Sequence, residues 1–220
     1  MPLLIDLNFH SNTGFKDVTE ILEKQKPALE FSKYMQSEVL FIKHADINTN
    51  TTQNNNSNYI FFRKENGLFS IPLKTYSYIR KLNPKIILVQ GFIFPFQLLL
   101  LRFFLPKQIK MVVQHHGELP FKGIKLILQR LSLKKINACL FTSIDNSIIW
   151  KEKKVIPASC PCFEVLEAST DFTYSDKRDT LKKELGMEGE FNYLWVGRLN
   201  SNKDPLTVIE AFSEYHEMTR

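Results

Sequence analysis

Glycine is scarce in this chain, and its placement rules out the common nucleotide cradles. Only 8 of the 220 residues are Gly, and no two fall as Gly-x-Gly, so the dinucleotide fingerprint is absent. No Gly-Lys-Ser/Thr occurs, which removes the P-loop. No two aspartates stand two apart, which removes the Asp-x-Asp metal site. Cysteine is also sparse. The 3 residues, Cys139, Cys160 and Cys162, are too few and odd in number for a disulfide scaffold, and they point to a reducing compartment. "HGE" at 116–118 with "CPC" at 160–162 has the residue types of a zinc deaminase but lacks its Pro-Cys-x-x-Cys spacing. No metal ligand set is therefore expected. Ser132 and Lys135 match Ser-x-x-Lys only within a basic amphipathic stretch, where the match carries no chemistry.

The chain also lacks a basic segment followed by an apolar core at its start, so "MPLLIDLNFHSN" does not read as a secretory signal. Without one, the glycosylation matches at Asn50 and Asn55 carry no weight. The most apolar stretch, "GFIFPFQLLLLRFFLP" at 91–106, is interrupted by Pro95 and Arg102. It is shorter than the ~20 residues of a membrane span and reads as a buried helix. The net charge of +6 is basic but mild, and no recognition motif accompanies it, so nucleic acid is not expected as a partner.

What is present is material for a core, 44% apolar residues, arranged in short runs. Strand candidates are 3–7, 38–43, 59–63, 85–90, 110–114, 138–142, 163–167 and 193–197. Several are fully apolar or β-branched without alternation, as in strands covered on both faces. Helical spacing fills many of the intervals, for example Val18, Ile21 and Leu22, or Ile124, Leu128 and Leu131. Strands and helices in turn predict an α/β fold, a Rossmann-like parallel sheet flanked by helices. The polar stretch "NTNTTQNNNSN" at 48–58 reads as a surface loop.

The segment "LWVGRLNSNKDPLTVIEAF" at 194–212 reads as strand, polar loop and helix, with Pro205 at the helix start. Ligands in open α/β sheets sit beyond the carboxyl ends of strands, and a helix amino end there favours an anion. Arg198 and Lys203, five residues apart, can both reach one such anion, Arg as a planar fork and Lys as a point charge.

This string resembles the opening of the second domain in family 4 glycosyltransferases of the GT-B fold: Val-Gly-Arg-Leu, a variable stretch, Lys, and an apolar helix ending in Glu-Ala-Phe. "KMVVQHHGELP" at 110–120 is similar to that family's strand ending in a His before an active-site loop. "VLEASTDF" at 165–172 stands where the family returns to its linker, with Ala-Ser in place of the usual Asn-Gly. The resemblance implies an N-terminal acceptor-side domain at 1–175, a linker at 176–190 and the start of a nucleotide-sugar-binding domain at 191–220. It implies transfer of a sugar from a nucleotide diphosphate to an acceptor hydroxyl, retaining in stereochemistry, with no metal or other cofactor.

Within that resemblance, Arg198 and Lys203 match the diphosphate-contacting pair, and His116 matches the His near the reacting carbon, with His115 one place away. Gly14 corresponds to the first glycine loop at the diphosphate. His10, Asn12 and Glu118 fall in loops facing acceptor or donor. The family's Glu-x7-Glu pair has no counterpart, since Glu30 and Glu38 fall far too early, so the chain by itself is expected to be inactive. The alternative is a non-catalytic nucleotide-binding or interaction module of the same fold.

One charge cluster stands apart. Residues 100–135 carry eight basic side chains against one acid, Glu118. Beside the apolar 91–106 stretch, this suggests peripheral contact with an anionic membrane or a lipid-linked acceptor. The expected setting is the cytoplasm, peripheral at the inner membrane face, in synthesis of a cell-surface polysaccharide or glycolipid.

Overall fold

The computed structural model describes residues 3–12, 17–24, 38–47, 50–54, 57–63, 70–166, 177–187, 192–197, 199 and 203–218. The chain divides into two units, Met1–Thr170 and Asp171–Arg220.

In the first unit the apolar runs pair into one sheet. The strands are β1 (Leu3–Asn12), β2 (Glu38–Ala45), β3 (Asn50–Asn54), β4 (Ser57–Arg63), β5 (Ile86–Gln90), β6 (Lys110–Gln114), β7 (Ala138–Phe141) and β8 (Cys162–Glu164). Their order is β3-β4-β2-β1-β5-β6-β7-β8. Every pairing is parallel except β3 with β4. The helices are α1 (Val18–Lys24), α2 (Leu73–Leu82), α3 (Pro95–Phe104), α4 (Ile124–Leu133) and α5 (Ile148–Glu152). The α/β fold expected from the alternation is the one observed.

The 48–58 stretch is the first departure. Asn50–Asn54 is not loop but an edge strand, antiparallel to β4 with Thr51 opposite Ile60 and Thr52 opposite Tyr59. Polar β-branched residues suit an edge, where one row of backbone groups faces water and apolar side chains would invite aggregation.

Strand alternation splits the core in two. Ile5, Leu7, Ile42, Ile87, Val89 and Val113 pack on one face with Tyr76 and Ile79 of α2 and Leu98 and Leu101 of α3. Leu4, Val39, Phe41, Tyr59 and Phe61 pack on the other with Ile21 of α1. Each fully buried aliphatic side chain of this kind contributes about 1.5–3 kcal/mol. The 91–106 stretch contains α3, and the buried-helix reading holds for it through Leu98 and Leu101. Arg102 does not disrupt that helix, because its guanidinium donates to the carbonyls of Ile109 (2.9 Å) and Pro106 (2.9 Å), closing the turn after it. No described helix is long and apolar enough to cross a membrane.

Helix α4 buries Leu133 and packs Leu126 against the core, yet it also turns an apolar stripe outward. Its buried residues include Gln129 and Ser132, while Ile124, Ile127 and Leu131 are 85%, 55% and 50% exposed. Gln129 explains the orientation. Its amide donates to the Phe92 carbonyl (3.0 Å) and accepts from the Phe121 N–H (3.0 Å), satisfying backbone groups of two loops that the helix covers. A buried unpaired backbone group costs ~1–3 kcal/mol, comparable to burying an aliphatic side chain, so two such bonds can turn a helix over.

The second unit is described by α6 (Arg178–Glu184) and α7 (Pro205–Met218). Helix α7 begins at Pro205 as expected. Helix α6 falls inside the stretch expected to be linker. The expected strand at 193–197 is not formed. Residues 192–197 carry no ladder, and Leu194 and Val196 are 83% and 82% exposed. A strand exists only by pairing its N–H and C=O groups with a neighbour, and no described residue supplies one. Tyr193 instead meets Phe212 of α7, ring edge to face, with centroids 4.5 Å apart.

Candidate functional site

The strand order reverses at β1 and β5: β2 and β4 lie to one side, β6 to β8 to the other. In open α/β sheets the crevice outside the carboxyl ends at such a reversal is the ligand site. The loops leaving β5 and β6 meet there. Gly91, after β5, has φ +86, and a Cβ on it would stand 2.9 Å from Oε1 of Glu118. Only glycine fits both constraints.

Glu118 uses that space to tie the two loops. Its carboxylate accepts from the backbone N–H of Phe92 (3.0 Å) and of His116 (2.6 Å). The acid expected to face donor or acceptor is thus spent on loop geometry.

The adjacent histidines part company because successive residues leaving a strand point to opposite faces. His115 is 3% exposed, set among Phe92, Phe141 and Trp150 with centroids 5.5, 5.0 and 5.6 Å away. Its Nε2–H donates to the Glu118 carbonyl (2.8 Å), and its Nδ1 accepts from the Gly117 N–H (3.3 Å). It is a core histidine with both nitrogens engaged. His116 is exposed, and its Nε2 lies 2.7 Å from Oε1 of Gln90.

Gln90 connects His116 to the sheet. Its amide nitrogen donates to Oδ2 of Asp6 in β1 (2.7 Å), which leaves its oxygen as an acceptor. The proton in the Gln90–His116 bond therefore sits on Nε2. Burial pushes the Asp6 carboxyl up from its ordinary range, while Lys43, Gln90 and His116 draw it back down. Burial likewise lowers the ammonium of Lys43 in β2, and Asp6 holds it up. The two charges support each other beneath the site. Burial, with Asp6 adding to it, pushes the nearby Tyr59 phenol up to about 12.

A second polar pair lies on the other face. His44 is 5% exposed, with Nδ1–H donating to the Asn8 carbonyl (3.0 Å) and Nε2 accepting from the Thr75 hydroxyl (3.0 Å). Burial pulls its pKa down, only partly offset by the Asn8 carbonyl.

All three cysteines converge elsewhere, toward the amino-terminal ends of β7 and β8. Cys139 pairs in register with Cys162, the Cys162 thiol donates to the Cys160 carbonyl (3.6 Å), and that of Cys160 donates to the Pro161 carbonyl (3.7 Å). The neighbouring Cys160 and Cys162 thiols, with burial, push Cys139 far up. The Cys139 thiol draws the Cys162 thiol down to about 6, with help from Lys151. Among the described residues no three His, Cys, Asp or Glu side chains are placed to hold a metal ion.

The structure thus brings His116, His115 and Glu118 together and adds Gln90, Asp6 and Lys43, which sequence reasoning missed. Their signal was a polar residue inside or ending an otherwise apolar strand: "LLIDL", "KIILVQ", "LFIKH". His10 and Asn12 lie at the end of β1, whose register against β2 shifts between Asn8 and Ser11; their side chains fall outside the described set. Gly14 and Arg198 also lie outside the described residues. Lys203 belongs to the second unit, exposed two residues before the start of α7.

No family model matches the chain, and no curated protein matches it. Among solved structures it is similar to sucrose-phosphate synthase from Thermosynechococcus elongatus, at 13% identity and a TM-score of 0.65, over 97% of this chain and 60% of that one. A second structure of sucrose-phosphate synthase from the same organism matches at 12% identity and a TM-score of 0.48, over 83% of this chain and 95% of that one. At such identity the first likeness shows a shared fold. This chain spans about 60% of that solved synthase chain.

Proposed function

We propose that this protein is a glycosyltransferase that moves a sugar from a nucleotide diphosphate to an acceptor hydroxyl. The observation that carries this reading is His116: exposed at the end of β6, beside the reversal of the sheet, and oriented through Gln90 by a buried carboxylate. The fold shared with a sucrose-phosphate synthase supports the transferase kind.

In such a reaction the anomeric carbon gains oxocarbenium character as the diphosphate departs, so oriented hydrogen bonds at the sugar and positive charge at the phosphates lower the barrier. His116 is the group for the sugar side. Its Nε2 is held by Gln90, which fixes the ring's orientation at the end of β6. Lys203, at the start of a helix, and Arg198 are assigned to the diphosphate by the family resemblance. His10 and Asn12, in the last residues of β1, and Gly14 are assigned to donor or acceptor by the same resemblance. The chemistry proposed is retaining and free of metal, in cytoplasmic synthesis of a surface polysaccharide or glycolipid.

The test is a panel of nucleotide sugars presented to a version extended by a nucleotide-sugar-binding domain, read by nucleoside diphosphate release and by perturbation of the His116 imidazole signals in NMR. Release, or a shift at His116 that a nucleoside diphosphate alone does not reproduce, supports the reading. Nucleotide binding without turnover under every donor and acceptor class favours the non-catalytic module, and no response to any donor sinks both.

A further inference from the structure

We propose that the outward face of α4, together with Phe103 of α3, docks on an anionic lipid surface and presents the His116 loop to a lipid-borne acceptor. The acceptor assignment rests on the transferase reading; the docking surface does not.

The apolar part of this face is unusual in its setting. Ile124, Ile127 and Leu131 repeat at three- and four-residue intervals, so they form one stripe. They are exposed because Gln129 and Ser132 occupy the inward side. Phe103, 66% exposed, extends the stripe onto the neighbouring helix, with the Lys135 ammonium 4.4 Å from its ring centre. A contiguous exposed apolar patch marks a contact with a partner or a membrane.

Charge selects between those occupants. Lys122 and Lys125 flank the beginning of α4, and Lys134 and Lys135 follow its end, all of them exposed. Within residues 100–135 the single acid, Glu118, is engaged with backbone N–H groups. A second copy of this chain would bring lysine against lysine. An apolar stripe bordered by lysines matches a bilayer surface bearing phosphate headgroups, where the side chains enter the acyl boundary and the ammonium groups stay at headgroup level.

Position ties the surface to the site. One loop, between β6 and α4, carries His116, Glu118, the 71% exposed Leu119 and Lys122 in sequence. A membrane bound by α4 therefore lies within a few residues of the proposed reacting centre. This is where an acceptor hydroxyl on a lipid anchor would arrive.

The experiment is co-sedimentation of the chain with vesicles of phosphatidylcholine alone and of phosphatidylcholine mixed with phosphatidylglycerol, at low and high salt. Binding is expected only to the mixed vesicles and should weaken with salt. Replacing the stripe in an Ile124→Ser/Ile127→Ser/Leu131→Ser variant should weaken it about tenfold. A Lys122→Gln/Lys125→Gln/Lys134→Gln variant should weaken it about a hundredfold. Thermal melts followed by circular dichroism confirm that both variants remain folded, as exposed positions allow. Equal binding to both vesicle types, no binding, unaltered binding by the stripe variant, or concentration-dependent self-association abolished by that variant would each overturn the proposal. Donor response measured on the same proteins separates the two readings. In the unsubstituted protein, a donor response without vesicle binding overturns the surface alone, and vesicle binding without a donor response overturns the transferase alone.

Discussion

The imidazole of His116 and the side-chain amide of Gln90 meet at 2.7 Å across the ends of two neighbouring strands. The same amide holds Asp6 on a third strand at 2.7 Å. Three side chains far apart in the chain thus make one line from a buried carboxylate to an exposed ring. The line fixes which imidazole nitrogen carries the proton, and any acid–base work at this site depends on it.

Gln90→Leu should break that line without filling the crevice. The expected outcome is loss of the single Nε2–H tautomer of His116, read from nitrogen chemical shifts of the imidazole. Turnover should fall ~10–100-fold with little change in KM for the donor, as for a group acting through another. Gln90→Glu should restore orientation in part, because a carboxylate still accepts from Nε2–H.

Gly91 and Gly117 offer an internal control. Both have positive φ, +86 and +81, but a Cβ on Gly91 meets the Glu118 carboxylate at 2.9 Å while one on Gly117 meets nothing within 4 Å. Gly117→Ala should cost only the backbone strain, about 1–2 kcal/mol. Gly91→Ala should cost more and also release the loop that Glu118 ties. Denaturant titration gives both costs, and hydrogen exchange at the N–H groups of Phe92 and His116 reads the release.

His44 should make the fold acid-sensitive. Its folded pKa is depressed, so the stability it confers is present above its unfolded pKa, ~6.5, and is lost as pH falls through and below that value. Stability measured from pH 8 downward should therefore begin to decline near ~6.5, with proton uptake on unfolding. His44→Gln should flatten that part of the curve; an unchanged slope would remove His44 as its source.

Cys162 should be the fastest thiol in the native protein. Its alkylation by iodoacetamide should titrate with a midpoint of about 6, whereas Cys139, buried and pushed upward, should react only on unfolding. Cys139→Ala removes the neighbouring thiol that most lowers Cys162, so the midpoint should move up. Mass spectrometry of peptides after pH-stepped labelling provides the measurement.

Gln129→Leu tests the orientation of α4. A more apolar core residue would ordinarily stabilise, but here it strips partners from the Phe92 carbonyl and the Phe121 N–H. A loss of about 2–4 kcal/mol is expected, measured by denaturant unfolding. A gain in stability would show that packing, not those two bonds, orients α4.

The periodicity of apolar residues was legible without coordinates. Runs such as "KIILVQ" and "KMVVQ" announce strands covered on both faces, the pattern usual in a parallel sheet flanked by helices. Their alternation with helical spacing leads to the α/β fold by local chemistry alone. His116 was legible too, as a polar residue where an apolar run ends, although nothing local separated it from His115. That separation belongs to tertiary structure: one ring is enclosed by Phe92, Phe141 and Trp150, the other pairs with Gln90 from a different strand. The Asp6–Gln90–His116 line, the meeting of the three thiols and the outward turn of α4 share this origin. Each depends on hydrogen bonds or contacts between residues distant in sequence, and their energies of a few kcal/mol outweigh local pattern. Where a residue's partner is its own neighbour, the sequence determined the outcome; where the partner arrives from another strand or loop, only the folded chain decided it.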